Sequence, residues 1–494
     1  MNCPDGNVGA NYSAVIRSKI MGILKCLLLV FLYCKPAYST EPLTFRLRLM
    51  EDLGTLDWNY GEVNPEVVYQ LMEGLFFTDG QGVAQKAVVK NYHWSNDKKV
   101  LNLELNSDRR WSDGQKLCAQ EFVDSFVRLQ SKEFGSPYAH YANPIRKMES
   151  SSCADLTVHF RRPTPAAPAI LAQSVFFPIR LDQIKKDPRA WNSGQGLLVN
   201  GPYQVKEWKK SVRQVLTPNP YWAGKRGNVE KIEIIYMPED STAQILFEQD
   251  KLDFLKDVPK IMRTPELEKS PDFHIFPTMI TYYFGLNELA EPSLKDPQFR
   301  QALSQALDRG EISKVLGNEM LGQSTWVGKN LFYRLISHLR PNVDFSRFKN
   351  LKHKLRLRIY SKPAHKLIAE WAQAQWQKKL GITVSIEVQE AKVYWKEIGV
   401  DTPPIFISGV TAPYSHPNAL LQEFLTDSTA NWTSWKSAKY DELVHGGQTQ
   451  AAESLLEQEG FVIPLYSRGT AVLLKSRWKK FQMNPLGQFF IKDL

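Results

Sequence analysis

The stretch from Leu355 to Val388, LRLRIYSKPAHKLIAEWAQAQWQKKLGITVSIEV, decides the fold class. Leu355, Leu357 and Ile359 alternate with arginines, which predicts a strand ending at Tyr360. Ala364 to Lys379 carries Leu367, Ile368, Trp371 and Ala372 at helical spacing, so these four are expected to face a core. Gly381 stands where a helix turns out of its last turn, because glycine accepts the left-handed conformation. Ile382 to Val388 alternates again. Strand, helix and strand in this order imply parallel strands joined by a right-handed crossover.

The same reading extends outward. Thr44 to Leu49, Val100 to Leu105, Leu156 to Phe160, Val229 to Met237 and Ile405 to Ser408 are predicted strands. Val205–Trp208 and Arg213–Leu216 read as a hairpin. Tyr282 to Leu286 is a short aromatic strand, and Phe461–Leu465 and Ala471–Leu474 are two late strands. Pro65 opens a helix, Ala119 to Leu129 forms another and Ser241 to Glu248 a third. Asp296 is an N-cap with Pro297 at the first helical position. Tyr440 to Val444 begins a late helix. The pattern is mixed α/β with several sheets rather than one doubly wound sheet.

A chain of 494 residues is long enough for about three domains or two large lobes. Hydrophobic residues make up 43% and aromatic residues 12%, enough for a sizeable core, which excludes wholesale disorder. No run of about 18 apolar residues occurs, which excludes a polytopic helical membrane protein. No repeat of fixed period is visible, so solenoids and propellers are excluded.

Residues 1–39 read as a leader. Lys25 supplies a positive n-region, Ile23 to Tyr33 an apolar stretch too short to span a bilayer, and Ala37-Tyr38-Ser39 a cleavage site. Residues 1–20 are polar and read as an upstream extension, with Met21 a second candidate start. Tyr33 is bulky where a lipobox needs a small residue, so lipid anchoring at Cys34 is not expected. Cys3, Cys26 and Cys34 leave with the leader. Cys118 and Cys153 remain, either as a disulfide, which an exported protein permits, or as two buried thiols. The net charge is +10, dispersed and without an aromatic-interleaved basic stretch, so nucleic acid is not an expected partner of an exported chain.

Reactive machinery is missing from the sequence. No G-x-S-x-G, G-x-x-x-x-G-K-[ST], G-x-G-x-x-G or H-E-x-x-H occurs, and there is no Cys/His cluster with zinc spacing. Neither catalysis nor a metal or cofactor is expected.

Several phrases, in order, resemble the extracytoplasmic oligopeptide-, dipeptide- and nickel-binding proteins of ABC importers. They are Leu56-Asp57 with YQLMEGLFF at 69–77, WSNDKKVLNLELNSDRRWSDGQKLCAQEFVDSFVRL at 94–129, and NGPYQVKEW at 200–208. PNPYW at 218–222, Tyr283 to Asp308, NWTSWKSAKYDEL at 431–443, IPLY at 463–466 and NPLG at 484–487 complete the series. The resemblance covers nearly all of residues 44–494. It implies an α/β, two-lobed, periplasmic-binding-protein-like fold of type II, with three domains and hinge crossovers at about 285–288 and 464–468. Residues 40–75, 198–286 and 466–494 would form the discontinuous ligand domain of lobe one, 76–197 an additional lobe-one domain, and 287–465 lobe two. The implied protein is a periplasmic, monomeric receptor that captures a peptide or peptide-like solute in the interlobe cleft and delivers it to an inner-membrane ABC permease. The alternative is the same fold used as a non-transport sensor or cell-wall-fragment binder.

The candidate ligand residues are Glu62, Val63, Asn64, Tyr282, Tyr283, Asn287, Asn431, Trp435 and the run Val410-Thr411-Ala412-Pro413-Tyr414. In peptide binders of this family that run resembles GW.ADY, whose aspartate meets the ligand's free amine. Here Val410 and Pro413 replace the tryptophan and the aspartate. A neutral proline cannot pair with an ammonium. The ligand is therefore expected to lack a free α-amine, to be anionic, or to find another carboxylate such as Glu62.

Overall fold

Alternation in TFRLRL places Phe45 and Leu47 fully inside and forms strand β1 (Thr44–Leu49). The computed structural model describes residues 42–60, 64–187, 190–327, 343–349 and 354–494. The leader, Glu62 and Val63 lie outside the described residues. Thr44–Leu494 form one compact unit.

Asn64 caps the helix Pro65–Leu71, its side chain accepting the Glu66 N–H. Two small sheets follow. One pairs β2 (Phe76–Thr78) with β3 (Ala84–Lys86); the other, with order β4-β5-β7-β6, joins Val89–Trp94, Val100–Leu105, Asp155–Phe160 and Ile145–Ser150, where β6 is Ile145–Ser150 and β7 is Asp155–Phe160. The helix Ala119–Gln130 packs on this sheet through Phe122, Phe126 and Leu129. A disulfide joins Cys118, at the start of that helix, to Cys153 in the β6–β7 turn.

The large sheet begins with the hairpin β8 (Tyr203–Lys209) and β9 (Arg213–Pro218), then β10 (Lys231–Tyr236) and β11 (Phe254–Lys256). It continues through β12 (Phe273–Leu286), β13 (Met320–Gly322), β14 (Lys354–Tyr360), β15 (Thr383–Gln389), β16 (Ile405–Thr411) and β17 (Val462–Leu474). The order is β15-β14-β16-β12-β17-β11-β1-β10-β9-β8, with β13 paired to β17. Strands β14 and β15 are parallel across the helix Pro363–Leu380, as the opening stretch requires. Gly381 closes that helix with φ 69°.

Two expected strand lengths are corrected. The short strand at Tyr282–Leu286 is the second half of β12, which has 14 residues. The two late strands are one strand, β17, of 13 residues. The polar Ser467-Arg468-Gly469-Thr470 reads as a break, yet the backbone there pairs with β12 and β13. Backbone pairing is indifferent to side-chain polarity, and it held the strand together where the hydrophobic pattern lapsed.

These two strands run antiparallel and join the two halves of the large sheet. The first half of β12 and the last part of β17 belong to the β11–β1–β10 side; Ile280–Leu286 pairs with β16 on the other. Their ladder is interrupted between Pro277 and Thr281, opposite Gly469 and Ser467. Pro277 has no N–H to donate, so the ladder breaks there for a covalent reason.

One expected core face also changes. In the helix Pro363–Leu380, Leu367 is exposed and Trp371 half-buried, while His365, Ile368, Ala372 and Trp376 are buried. Trp376 donates its indole N–H to the Leu303 carbonyl, which rotates the buried stripe toward the helix Pro297–Gln305.

Candidate functional site

The interrupted strands floor two adjoining cavities. The first, of about 220 Å³, is lined by Thr278–Ile280 of β12, Thr411 and Ala412, Pro485–Gly487, Lys256, Asp257 and Arg468. The second, of about 280 Å³, is lined by Tyr282, Tyr466, Lys362, His365 and the segment from Asp257 to Arg263, with Glu319 beneath. Asp257 and Arg468 belong to both. Lys256 and Asp257, Lys362, and Thr411 and Ala412 stand at the carboxyl ends of strands β11, β14 and β16, where open α/β sheets place their ligands, while Tyr282, Tyr466 and Arg468 come from the middle of β12 and β17.

Most charges here are spoken for. Lys256 pairs with the buried Glu66 at 2.6 Å, Lys260 with Glu268 at 2.6 Å, and Arg468 loosely with Asp257 at 3.8 Å. Arg263 and Glu319 form a buried fork, with N–H donors at 2.8 and 3.0 Å from the carboxylate oxygens. Lys362 makes no ion pair with a described residue, leaving a surplus of positive charge at the second cavity. Asp257 holds a left-handed backbone at φ 57°, uncommon for a side chain with a Cβ.

The second cavity is aromatic. Tyr282 stacks on Tyr466 with centroids 4.8 Å apart, and His365 stands edge-on to Tyr360 at 4.1 Å. Gly409 lies opposite Tyr282 in the ladder, and a Cβ there would come within 2.9 Å of the ring. Burial, reinforced by nearby Lys362, pushes the His365 pKa down to about 4. Burial does the same to His416, also to about 4, whose Nδ1 accepts the Asn418 N–H. Both histidines are therefore neutral when folded but protonate near pH 6.5 when unfolded. Their stabilisation is complete above that pH and is lost as pH falls toward 4. For the fully buried His365 the loss is up to about 3 kcal/mol. Urea titrations at pH 7 and pH 4.5 should show a smaller acid loss in His365→Phe than in the parent; an equal loss would place the acid sensitivity elsewhere.

The structure separates the sequence candidates into two groups. Tyr282, Thr411 and Ala412 line the cavities, Pro413 is exposed beside them, and Val410 sits opposite Thr281 of β12. Asn64 is occupied as the helix cap. Tyr283 is wholly buried among Trp326, Phe406 and Phe424. Asn287 donates to the Thr402 carbonyl and accepts the Leu289 N–H. Asn431 donates to the carbonyls of Phe424, Leu425 and Trp435, and Trp435 packs on Tyr440 and Phe461. Tyr414 is buried, its hydroxyl accepting from Gln422. Lys256, Asp257, His365 and Arg468 were missed by sequence reasoning. Lys256 and Asp257 stand at the end of β11, His365 in the first turn of the helix Pro363–Leu380 and Arg468 in the middle of β17, and none of them belongs to a motif.

The backbone supplies the remaining feature. Strand β16 pairs with β12 along Ile405–Thr411, but β14 covers its other edge only at Ile405 and Phe406. From Ser408 to Thr411 that edge has no strand partner among the described residues. Among the described residues no three His, Cys, Asp or Glu side chains assemble as a metal site, and no helix is long and apolar enough to cross a membrane.

A two-lobed α/β fold with a binding cleft over two crossover strands defines a solute-binding protein. Residues 83–432 match the profile of the bacterial extracellular solute-binding proteins, family 5, and the chain belongs to that family. It is 26% identical to the probable deoxycholate-binding periplasmic protein YgiS of Escherichia coli, over 94% of this chain and 96% of that one. It is also 26% identical to the periplasmic oligopeptide-binding protein OppA of Salmonella typhimurium, over 90% of each chain. Among solved structures, the unliganded open form of the murein tripeptide-binding protein MppA superimposes with a TM-score of 0.82 at 21% identity, covering 92% of this chain and 97% of that one.

Proposed function

We propose that this protein is the exported receptor of an ABC importer, binding a peptide or peptide-like solute in the cleft and delivering it to a membrane permease. The observation that carries the reading is the edge of β16 at Ser408–Thr411, which no strand among the described residues covers, beside the cavity lined by Thr411 and Ala412. An extended ligand adds to such an edge through main-chain hydrogen bonds, which tolerate many side chains. The leader through Ser39 directs the chain to the periplasm, where it works as a monomer. Lobe one comprises 40–75, 198–286 and 466–494 with the additional domain 76–197, and lobe two 287–465. The lobes close by flexing at the crossovers, about 285–288 and 464–468, close to where the β12–β17 ladder is interrupted. The peptide-binding names of the relatives support the ligand class.

A receptor that binds only when folded gains RT ln(1 + [L]/Kd), about 2.7 kcal/mol at a hundredfold excess. A thermal-shift panel of free and blocked peptides, amino acids and murein fragments should therefore give at least one strong rise in Tm. A folded sample that shows no shift across the panel would defeat the transport reading.

A further inference from the structure

A peptide ammonium that enters a closing cleft loses its water and needs an acid in return. Position 413 offers only proline. Among the described residues, two carboxylates line the two cleft cavities, Asp257 and Glu319. Glu319 is committed to Arg263 through both of its oxygens. Asp257 is not committed in this way. Its side chain is 49% exposed, and its ion pair with Arg468 is long, at 3.8 Å. It is also the carboxylate that both cavities share.

The backbone puts it there. Lys256 pairs with Val472 at the end of the β11–β17 ladder, and the Val258 N–H donates to the Ala471 carbonyl at 3.0 Å. Between these two fixed residues Asp257 is turned out with φ 57°. A left-handed residue other than glycine is strained, and such strain gathers where a side chain must be presented to a ligand. Thr411 and Ala412, at the end of the β16 edge that no described strand covers, line the same first cavity. A peptide added to that edge therefore runs into the space that Asp257 borders.

We propose that Asp257 receives the free α-ammonium of the bound peptide, supplying from the end of β11 the negative charge that Pro413 cannot. The inference rests on the peptide-receptor reading. The ammonium donates to the carboxylate from the side away from Arg468, whose loose pairing leaves acceptor capacity unused. Acylation of the amine removes the charge and most of its donors, so the interaction is specific for an unblocked amino end.

Calorimetry with trialanine and N-acetyl-trialanine tests this. The parent should bind trialanine about ten- to hundredfold tighter than the acetyl form, the worth of a hydrogen bond to a charged group. Asp257→Asn keeps the size of the side chain, and asparagine also adopts the left-handed backbone. In this variant trialanine should weaken to the affinity of the acetyl form, which itself should not change. The double variant Asp257→Asn with Arg468→Gln should show the same loss of preference. Equal or weaker binding of trialanine by the parent overturns the amine site and leaves the receptor reading standing. A preference that persists in folded Asp257→Asn overturns the assignment to this residue. A preference that returns in the double variant overturns it too, because Asp257 would then act only by neutralising Arg468. If neither peptide binds, the proposal falls and the thermal-shift panel decides the receptor reading.

Discussion

Arg263→Met should destabilise the protein by about 3–5 kcal/mol, the usual cost of leaving half of a buried ion pair without its partner. Arg263 and Glu319 are each less than a tenth exposed and meet through two parallel hydrogen bonds. Burial pushes the Glu319 carboxyl up, but the hydrogen bonds and charge of Arg263 outweigh it and hold the group below its ordinary value. A carboxyl depressed in the folded state contributes stability that is present above its unfolded pKa and lost as pH falls below it. Urea melts should therefore show the gap between parent and Arg263→Met narrowing below pH 4. The double variant Arg263→Met with Glu319→Leu should regain most of the loss, because no charge is then stranded. A double variant as weak as the single one would mean that packing, not the charge, holds this wall of the cleft.

The second large effect belongs to the disulfide. Cys118 and Cys153 are 35 residues apart in sequence, and the bond closes the loop that holds the helix Ala119–Gln130 against β6 and β7. Closing a loop of that size lowers the entropy of the unfolded chain by an amount worth about 4 kcal/mol. The double substitution of both cysteines by serine should lose about that much, read as a lower urea midpoint with little change in slope. The oxidised parent treated with dithiothreitol should fall to the same midpoint. Identical midpoints for oxidised and reduced parent would show that the bond adds nothing beyond the packing of Phe122, Phe126 and Leu129.

The fold was largely legible in the residues. Alternation at Thr44–Leu49, Val100–Leu105 and Leu355–Tyr360 gave strands at those places because alternate apolar side chains there go to one buried face, although in Thr44–Leu49 the other face is covered as well. Proline and asparagine at 65 and 64, or proline and aspartate at 297 and 296, mark helix starts because these residues satisfy or lack the first N–H groups. These are local signals, and a few consecutive side chains suffice to encode them.

The continuity of β12 and β17 and the lining of the cleft were decided by tertiary structure. Pro277 and the polar run at Ser467–Thr470 look like strand ends, yet partner strands supply the hydrogen bonds that keep the backbone extended. Side-chain type alone did not separate Tyr282 from Tyr283, since adjacent residues in a strand face opposite ways. Tyr282 stacks at the cavity while Tyr283 is buried among Trp326, Phe406 and Phe424. Asn431 and Trp435 have the chemistry of ligand contacts, but neighbouring carbonyls and rings occupy them first. Asp257, His365 and Arg468 carry no motif of their own. They meet because the end of β11, the first turn of the helix Pro363–Leu380 and the middle of β17, far apart in sequence, converge on one floor, and that convergence depends on long-range pairing rather than on local residue pattern.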